Sequence, residues 1–202
     1  GNRDDVDRNK IGVIGICGSG GFALSAAAMD TRIKAVVTSV MYDIAGNMNA
    51  MEGATRNMML GQAGTSRWES FASGQYDYMK SYPDEPTEDI PAGLDDVNAE
   101  FYSFYGTSRG WHPNALGNMN MASAGDLMTF PSNEHIAEIK SPILFIAGEN
   151  AHSLEYSKTA YNNASDPKEL YIVSDANHVD LYDQVDKIPF DKIEEFFNTN
   201  LK

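Results

Sequence analysis

Three hydrophobic patterns divide this chain. The first is the short unbroken apolar run. Ile11-Gly12-Val13-Ile14-Gly15-Ile16 lies between a polar segment and a glycine cluster. A run of that length reads as a strand buried on both faces, the kind found in parallel sheets. Lys34 to Val40 is apolar and β-branched, Ile143 to Gly148 follows Ser141-Pro142, and Glu169 to Val173 follows Asp166-Pro167. Four strands are expected, near 11–16, 34–40, 143–148 and 169–173. The second pattern is helical. Phe22 to Met29 is alanine-rich and suits a buried helix closed by Asp30-Thr31-Arg32. Glu155 to Asn162 predicts another helix, and Pro189 to Asn198 an amphipathic one carrying Ile193, Phe196 and Phe197. From Ile11 to Val40, strand, helix and strand form a βαβ unit of about thirty residues.

The third pattern fills the middle. It holds Met48, Met51, Met58, Met59, Trp68, Phe71, Tyr76, Tyr78 and Met79, with spacings of three and four that predict amphipathic helices. Pro83, Pro86 and Pro91, with acids between them, predict a surface loop. A separation of roughly a hundred residues between strands is too long for a simple crossover. The expected organisation is a βαβ core unit over 1–43, a helical lid or insertion over 44–140, and a C-terminal core segment over 141–202. Ordinary helical packing on a sheet face is the other reading of the middle.

Composition narrows the function classes. The chain has 202 residues, 42% of them hydrophobic and 22% charged, enough apolar content for a sizeable core and against wholesale disorder. Fifteen basic residues face 29 acidic ones, a net charge of −14. That charge repels phosphate backbones and anionic bilayers, so neither nucleic acid nor membrane is an expected partner. A single cysteine, Cys17, allows no internal disulfide and predicts a reducing, cytoplasmic setting. Four scattered histidines without ligand-spaced partners predict no metal site.

The glycine cluster supports two readings. Gly18-Ser19-Gly20-Gly21-Phe22-Ala23 fits G-x-G-x-x-A between a strand and a helix, with Asp43 after the next strand in place to hold a ribose. This would be a dinucleotide site. The other reading is a nucleophile elbow, Gly15-Ile16-Cys17-Gly18-Ser19. A sharp strand-to-helix turn lifts the nucleophile above the sheet, and residues two before and two after it must be small. Gly18 N–H, at the helix N-terminus, would then face an oxyanion. Ser19, flanked by Cys17 and Gly21, fits the same frame only if the strand runs two residues further. The downstream order favours the elbow: Glu149 ends the third strand, and Ser174-Asp175-Ala176-Asn177-His178 follows the fourth. Nucleophile, acid and histidine come in that order in α/β hydrolases.

On these residues the chain resembles the α/β-hydrolase superfamily, and more narrowly its dienelactone hydrolase-like branch, in which cysteine can replace serine. The matching stretches are Ile11 to Gly21, Pro142 to Glu149, and Asn177-His178-Val179-Asp180-Leu181-Tyr182. The resemblance implies a partial α/β-hydrolase fold and hydrolysis of a small ester, lactone or thioester without a cofactor. It makes Cys17 the nucleophile, His178 the general base and Gly18 an oxyanion donor. Glu149 is the expected acid, since Ala151 occupies the usual aspartate position; Asp175 and Asp180 are fallback orienters. His152 and Trp111 are expected to line the substrate site, His112 stands beside Trp111, and His135 reads as surface.

The same resemblance places further strands before the elbow strand, where this chain has only about ten residues. The chain also lacks an initiating methionine. The expectation is that the 11–16 edge is covered by a missing N-terminal half or by a second copy. A non-catalytic binding or assembly module on the hydrolase fold is the alternative to an enzyme.

Overall fold

In the computed structural model residues 3–202 are described. In chain order they form β1 (Ile11–Ile16), α1 (Gly18–Met29), β2 (Ile33–Ser39), α2 (Ile44–Asn49), α3 (Gly53–Ser73), β3 (Tyr78–Met79), α4 (Asp96–Tyr105), β4 (Met119–Asn120), α5 (Ala124–Met128), β5 (Ile143–Gly148), α6 (Leu154–Asn163), β6 (Lys168–Val173), α7 (Asp180–Asp183) and α8 (Phe190–Asn200). Two compact units emerge: the segment through Ile44 with Pro131–Lys202, and Ala45–Phe130.

The first unit holds a four-stranded parallel sheet in the order β1-β2-β5-β6. Its strands lie within a residue of the expected ones. The apolar runs are continuous because both faces are covered. Val36, Ile143 and Phe145 pack against Ala23, Leu24 and Ala160 on one face. Val37, Leu144 and Ile146 join Ala151, Leu181 and Phe196 on the other. Alternate residues of one strand therefore feed opposite cores, as the two-residue period of a strand requires. Each such side chain is worth about 1.5–3 kcal/mol when fully buried. Helix α1 starts four residues earlier than its alanine run predicts, at Gly18, because the sharp turn at Cys17 leads straight into it. The carboxylate of Asp30 accepts from the Arg32 backbone N–H and binds its guanidinium, which turns the chain into β2. Among the described residues strand β1 has a neighbour on one side only, and Ile14 and Ile16 are 49% and 44% exposed.

The second unit is helical, with a short antiparallel ribbon of β3 and β4. Helix α3 runs for 21 residues and stops at Gly74, whose φ of 68° suits glycine and whose N–H returns to the Ser70 carbonyl. Helix α4 is capped by Asp95, which accepts from Asn98 N–H at 2.8 Å. Tyr82 stacks on Tyr105 at 5.1 Å, and Trp111 Nε1 donates to the Pro83 carbonyl at 3.0 Å. Among the described residues no helix is long and apolar enough to cross a membrane.

Candidate active site

Strand β1 ends at Ile16 and α1 begins at Gly18, so Cys17 alone forms the junction. Its backbone sits at φ 56°, ψ −127°, a conformation that side chains rarely adopt. Three hydrogen bonds hold it there. Cys17 N–H donates to the Ser39 carbonyl at 3.0 Å, and the Cys17 carbonyl accepts from Gly20 and Tyr42 N–H, both at 2.9 Å. Strain of this kind persists only where surrounding structure over-determines it. The small-residue requirement is visible in the packing: a Cβ at Gly15 would lie 2.3 Å from the Ser19 carbonyl oxygen. Ser19 sits inside the first turn of α1. No side chain caps α1. The Cys17 thiol is partly exposed and makes no hydrogen bond among the described residues.

The glycines also bear on the dinucleotide reading. A Cβ at Gly20 would lie 2.4 Å from Met41 Cβ, and one at Gly21 2.7 Å from the Tyr42 carbonyl. Their open sides are filled by the chain leaving β2, not left free for a pyrophosphate. This geometry favours the elbow.

His178 lies after β6 and is fully buried. Its Nδ1 shares a hydrogen bond with Ser153 Oγ at 2.6 Å, and its Nε2 shares one with Tyr182 OH at 2.8 Å. The His152 ring stacks on it at 4.6 Å, and Tyr42 meets it edge-on at 5.6 Å. The loop that carries His178 is tied from two directions. Asp180, itself buried, accepts from Asn177 N–H, Gln184 Nε2 and Lys187 Nζ at 3.0, 2.6 and 2.8 Å. Asn150 N–H donates to the Ala176 carbonyl at 3.0 Å, a close pass that Gly148 permits, since its Cβ would lie 2.3 Å from that oxygen.

Glu149 does not reach the imidazole. Its N–H continues the β5–β6 ladder to the Val173 carbonyl, which sends its carboxylate outward to accept from Asp175 N–H at 3.1 Å. Four residues later the chain turns inward, and Ser153 stands where an acid was expected. Glu149 thus braces the histidine loop, while Ser153 contacts the ring. Asp43 accepts from Asn133 Nδ2 at 2.9 Å. Burial, and then the Asp43 charge, push the Tyr156 phenol above its usual range. Trp111 and His112 belong to the second unit. His135 lies at the surface, where hydrogen bonding to Glu138 raises its pKa. Among the described residues no group of three His, Cys, Asp or Glu side chains is placed to hold a metal ion.

No family profile matches the chain. It is 43% identical over 206 residues to the uncharacterized protein PA2218 of Pseudomonas aeruginosa, covering 98% of this chain and 54% of that protein. The crystal structure of PA2218 superposes with a TM-score of 0.87 over 99% of this chain and 64% of that one. The α/β hydrolase GrgF from Penicillium sp. sh18 superposes at 0.74, with 20% identity, over 97% of this chain and 65% of that one. Est1E from Butyrivibrio proteoclasticus, solved with ferulic acid, gives 0.59, with 17% identity, over 98% and 62%. The chain has the α/β-hydrolase fold. It spans about half the length of the curated relative PA2218. Within the hydrolase fold, Ser153, Tyr182, Tyr42 and Asn133 are the site residues that sequence reasoning missed. Only Tyr182 left a signal, four residues after His178 and so one helical turn away.

Proposed function

We infer that the protein is an acyl-transfer hydrolase, related to the dienelactone hydrolase-like branch, that cleaves a small ester, lactone or thioester with Cys17 as nucleophile. The observation that carries this reading is the strained backbone of Cys17 at the strand-to-helix junction, with Gly15 and Ser19 as its small flanks. Val40 and Asp175 also have positive φ, but of these three residues only Cys17 carries a nucleophilic side chain and joins a strand directly to a helix.

The chemistry runs in two halves. The thiol proton passes to His178, the sulfur bonds to the carbonyl carbon, and the oxygen takes the negative charge. Gly18 N–H, at the positive end of α1, stabilises that oxyanion; losing such a donor typically costs about 10²–10³ in rate. The carbon–oxygen or carbon–sulfur bond to the leaving group then breaks, and the leaving group takes the proton from His178. Water repeats the sequence on the thioester, giving up a proton to His178 and releasing the acid and the free thiol. Ser153 orients the imidazole in place of a carboxylate. For His178 to reach Cys17, its bond to Tyr182 has to open. His152 lies beside the ring and remains a proposed substrate contact.

A second reading, a non-catalytic module on the hydrolase fold, is favoured by one observation. Both ring nitrogens of His178 are engaged by neighbouring hydroxyls, and the Cys17 thiol makes no hydrogen bond among the described residues. The test is intact mass spectrometry of the full-length protein after exposure to p-nitrophenyl acetate. One acetyl group mapped to Cys17, absent in Cys17→Ala, supports the enzyme. An unlabelled Cys17 in the folded protein leaves the binding module.

The bare edge of β1 is part of the same reading. We assign its cover to the remainder of a longer protein, because PA2218 is nearly twice the length matched here. Slow amide exchange along Ile11–Ile16 in the full-length protein is the expected result; fast exchange on the side away from β2 would overturn the assignment.

A further inference from the structure

The second unit contains a groove of about 710 Å³, a size typical of small-molecule sites. One wall is a stripe of α3, with Met58, Gly61, Thr65, Ser66 and Glu69 at helical spacing. The other is formed by Asp77, Tyr78 and Met79, with Met121 between. All of these residues lie within Ala45–Phe130.

Three features point to a ligand. Ser66, one of the groove residues, is 3% exposed, and its buried hydroxyl has no hydrogen-bond partner among the described residues. Buried hydroxyls without partners are uncommon and costly. Glu69 and Asp77 both line the groove, and neither has an ion-pair partner among the described residues; no lysine or arginine lines it. Across Ala45–Phe130, eleven Asp and Glu side chains face only four Lys and Arg, so the local field also favours a cation. Finally, Met58, Tyr78 and Met79 are 58%, 54% and 45% exposed, an apolar lining left in water. Methionine-lined surfaces adapt to varied apolar shapes, and an aromatic face attracts cations.

We propose that this groove binds a small amphipathic organic cation, a protonated or quaternary amine on an apolar body. The ammonium lies between Glu69 and Asp77 and over the Tyr78 ring. The apolar body lies on Met58, Met79 and Met121, beside Ser66. This site does not rest on the acyl-transfer reading, and it is read by binding alone.

The probes are 4-phenylbutylammonium and its uncharged isostere 4-phenylbutanol, titrated calorimetrically into the full-length protein. The ammonium is expected to bind at least tenfold more tightly than the alcohol, and to weaken as salt rises. The double variant Glu69→Gln, Asp77→Asn is expected to cost the ammonium tenfold or more and leave the alcohol unchanged. Gly61→Leu fills the groove without a clash, because nothing lies within 4 Å of a Cβ at that position. It raises helix propensity, so the fold is retained, and binding of the ammonium is expected to disappear. Equal binding of the two probes overturns the cation assignment. No binding of the ammonium, or full binding by Gly61→Leu, overturns the site.

Discussion

Replacing Cys17 by glycine and, in a second protein, by alanine separates the chemistry of the elbow from its strain. Neither variant has a thiol, so neither is acylated. Their stabilities differ for a reason that the backbone supplies. At φ 56°, ψ −127° a Cβ crowds its own peptide, and a residue held in such a region carries about 1–3 kcal/mol of strain. Alanine keeps the Cβ and the strain, whereas glycine removes both. Against this, glycine has more unfolded conformations to lose, which costs about 0.4–1 kcal/mol relative to alanine. The three hydrogen bonds at this residue all involve its main chain, so neither substitution disturbs them. The balance is a glycine variant more stable than the alanine variant by about 1 kcal/mol, or about 2–4 °C in Tm for a chain of this length. Urea unfolding followed by circular dichroism measures the difference directly. Elsewhere in a regular element the same exchange has the opposite sign, glycine being worse by about 0.5–1 kcal/mol. A glycine variant less stable than the alanine variant would refute the claim that position 17 is strained, and with it the physical basis of the elbow.

Ser153→Ala leaves the buried His178 Nδ1 without its hydroxyl, and is expected to cost about 1–3 kcal/mol of stability and at least tenfold in Cys17 acylation, with the pH profile of acylation displaced. Ser153→Thr, which keeps a hydroxyl, restores the rate, while Glu149→Gln changes it less than threefold; the reverse ranking would return the orienting role to Glu149. Asp180→Asn keeps an acceptor for Asn177 N–H but removes the charge facing Lys187, whose side chain is 28% exposed. The expected loss is about 2 kcal/mol in urea unfolding, and a loss within about 0.5 kcal/mol would mean that this carboxylate does not secure the histidine loop. At the start of β2, hydrogen bonding to Arg32 holds the Asp30 carboxyl down to about 2. A pKa depressed on folding gives stability that is complete above the unfolded value of about 3.9 and lost as pH falls through the folded value. Arg32→Gln is expected to flatten the acid-unfolding slope between about pH 4 and 2, and an unchanged slope would show the pair to be inert.

How far the chain could be read before folding depends on whether the signal was local. The strands were legible because each is an apolar run wanted on both faces of a parallel sheet, and their ends moved by only a residue. The sharp turn at Cys17 was legible for the same reason: its steric rule acts between Gly15, Cys17 and Ser19, within a single turn. Helix α1 was read too short because Gly18, Ser19 and Gly20 look like breakers. Their place in the helix depends on Met41 and Tyr42, which pack where side chains would otherwise stand. The hydroxyl at His178 Nδ1 was not legible at all. Ser153 lies 25 residues away in sequence, and only the inward turn after Glu149 brings it beneath the ring. Nothing in the residues 149–153 distinguishes a carboxylate turned outward from a serine turned inward.

That substitution bears on which nucleophile the site can use. A carboxylate beside imidazole Nδ1 stabilises the imidazolium formed when the histidine takes a proton. A serine hydroxyl orients the ring but brings no charge of its own. Serine nucleophiles depend on a strong base, because an alcohol is scarcely ionised near neutral pH. A thiol is the least dependent of the nucleophiles, being intrinsically reactive and already a few per cent ionised at pH 7 as a class. In the proposed mechanism a cysteine at position 17 suits a histidine oriented by Ser153, whereas a serine nucleophile there would depend more on an acid, which position 153 does not supply. The two observations come from opposite ends of the chain, one from the sharp turn after β1 and the other from the loop after β5. Their agreement on thiol chemistry is what joins the strained Cys17 and the buried His178 into a single proposed mechanism.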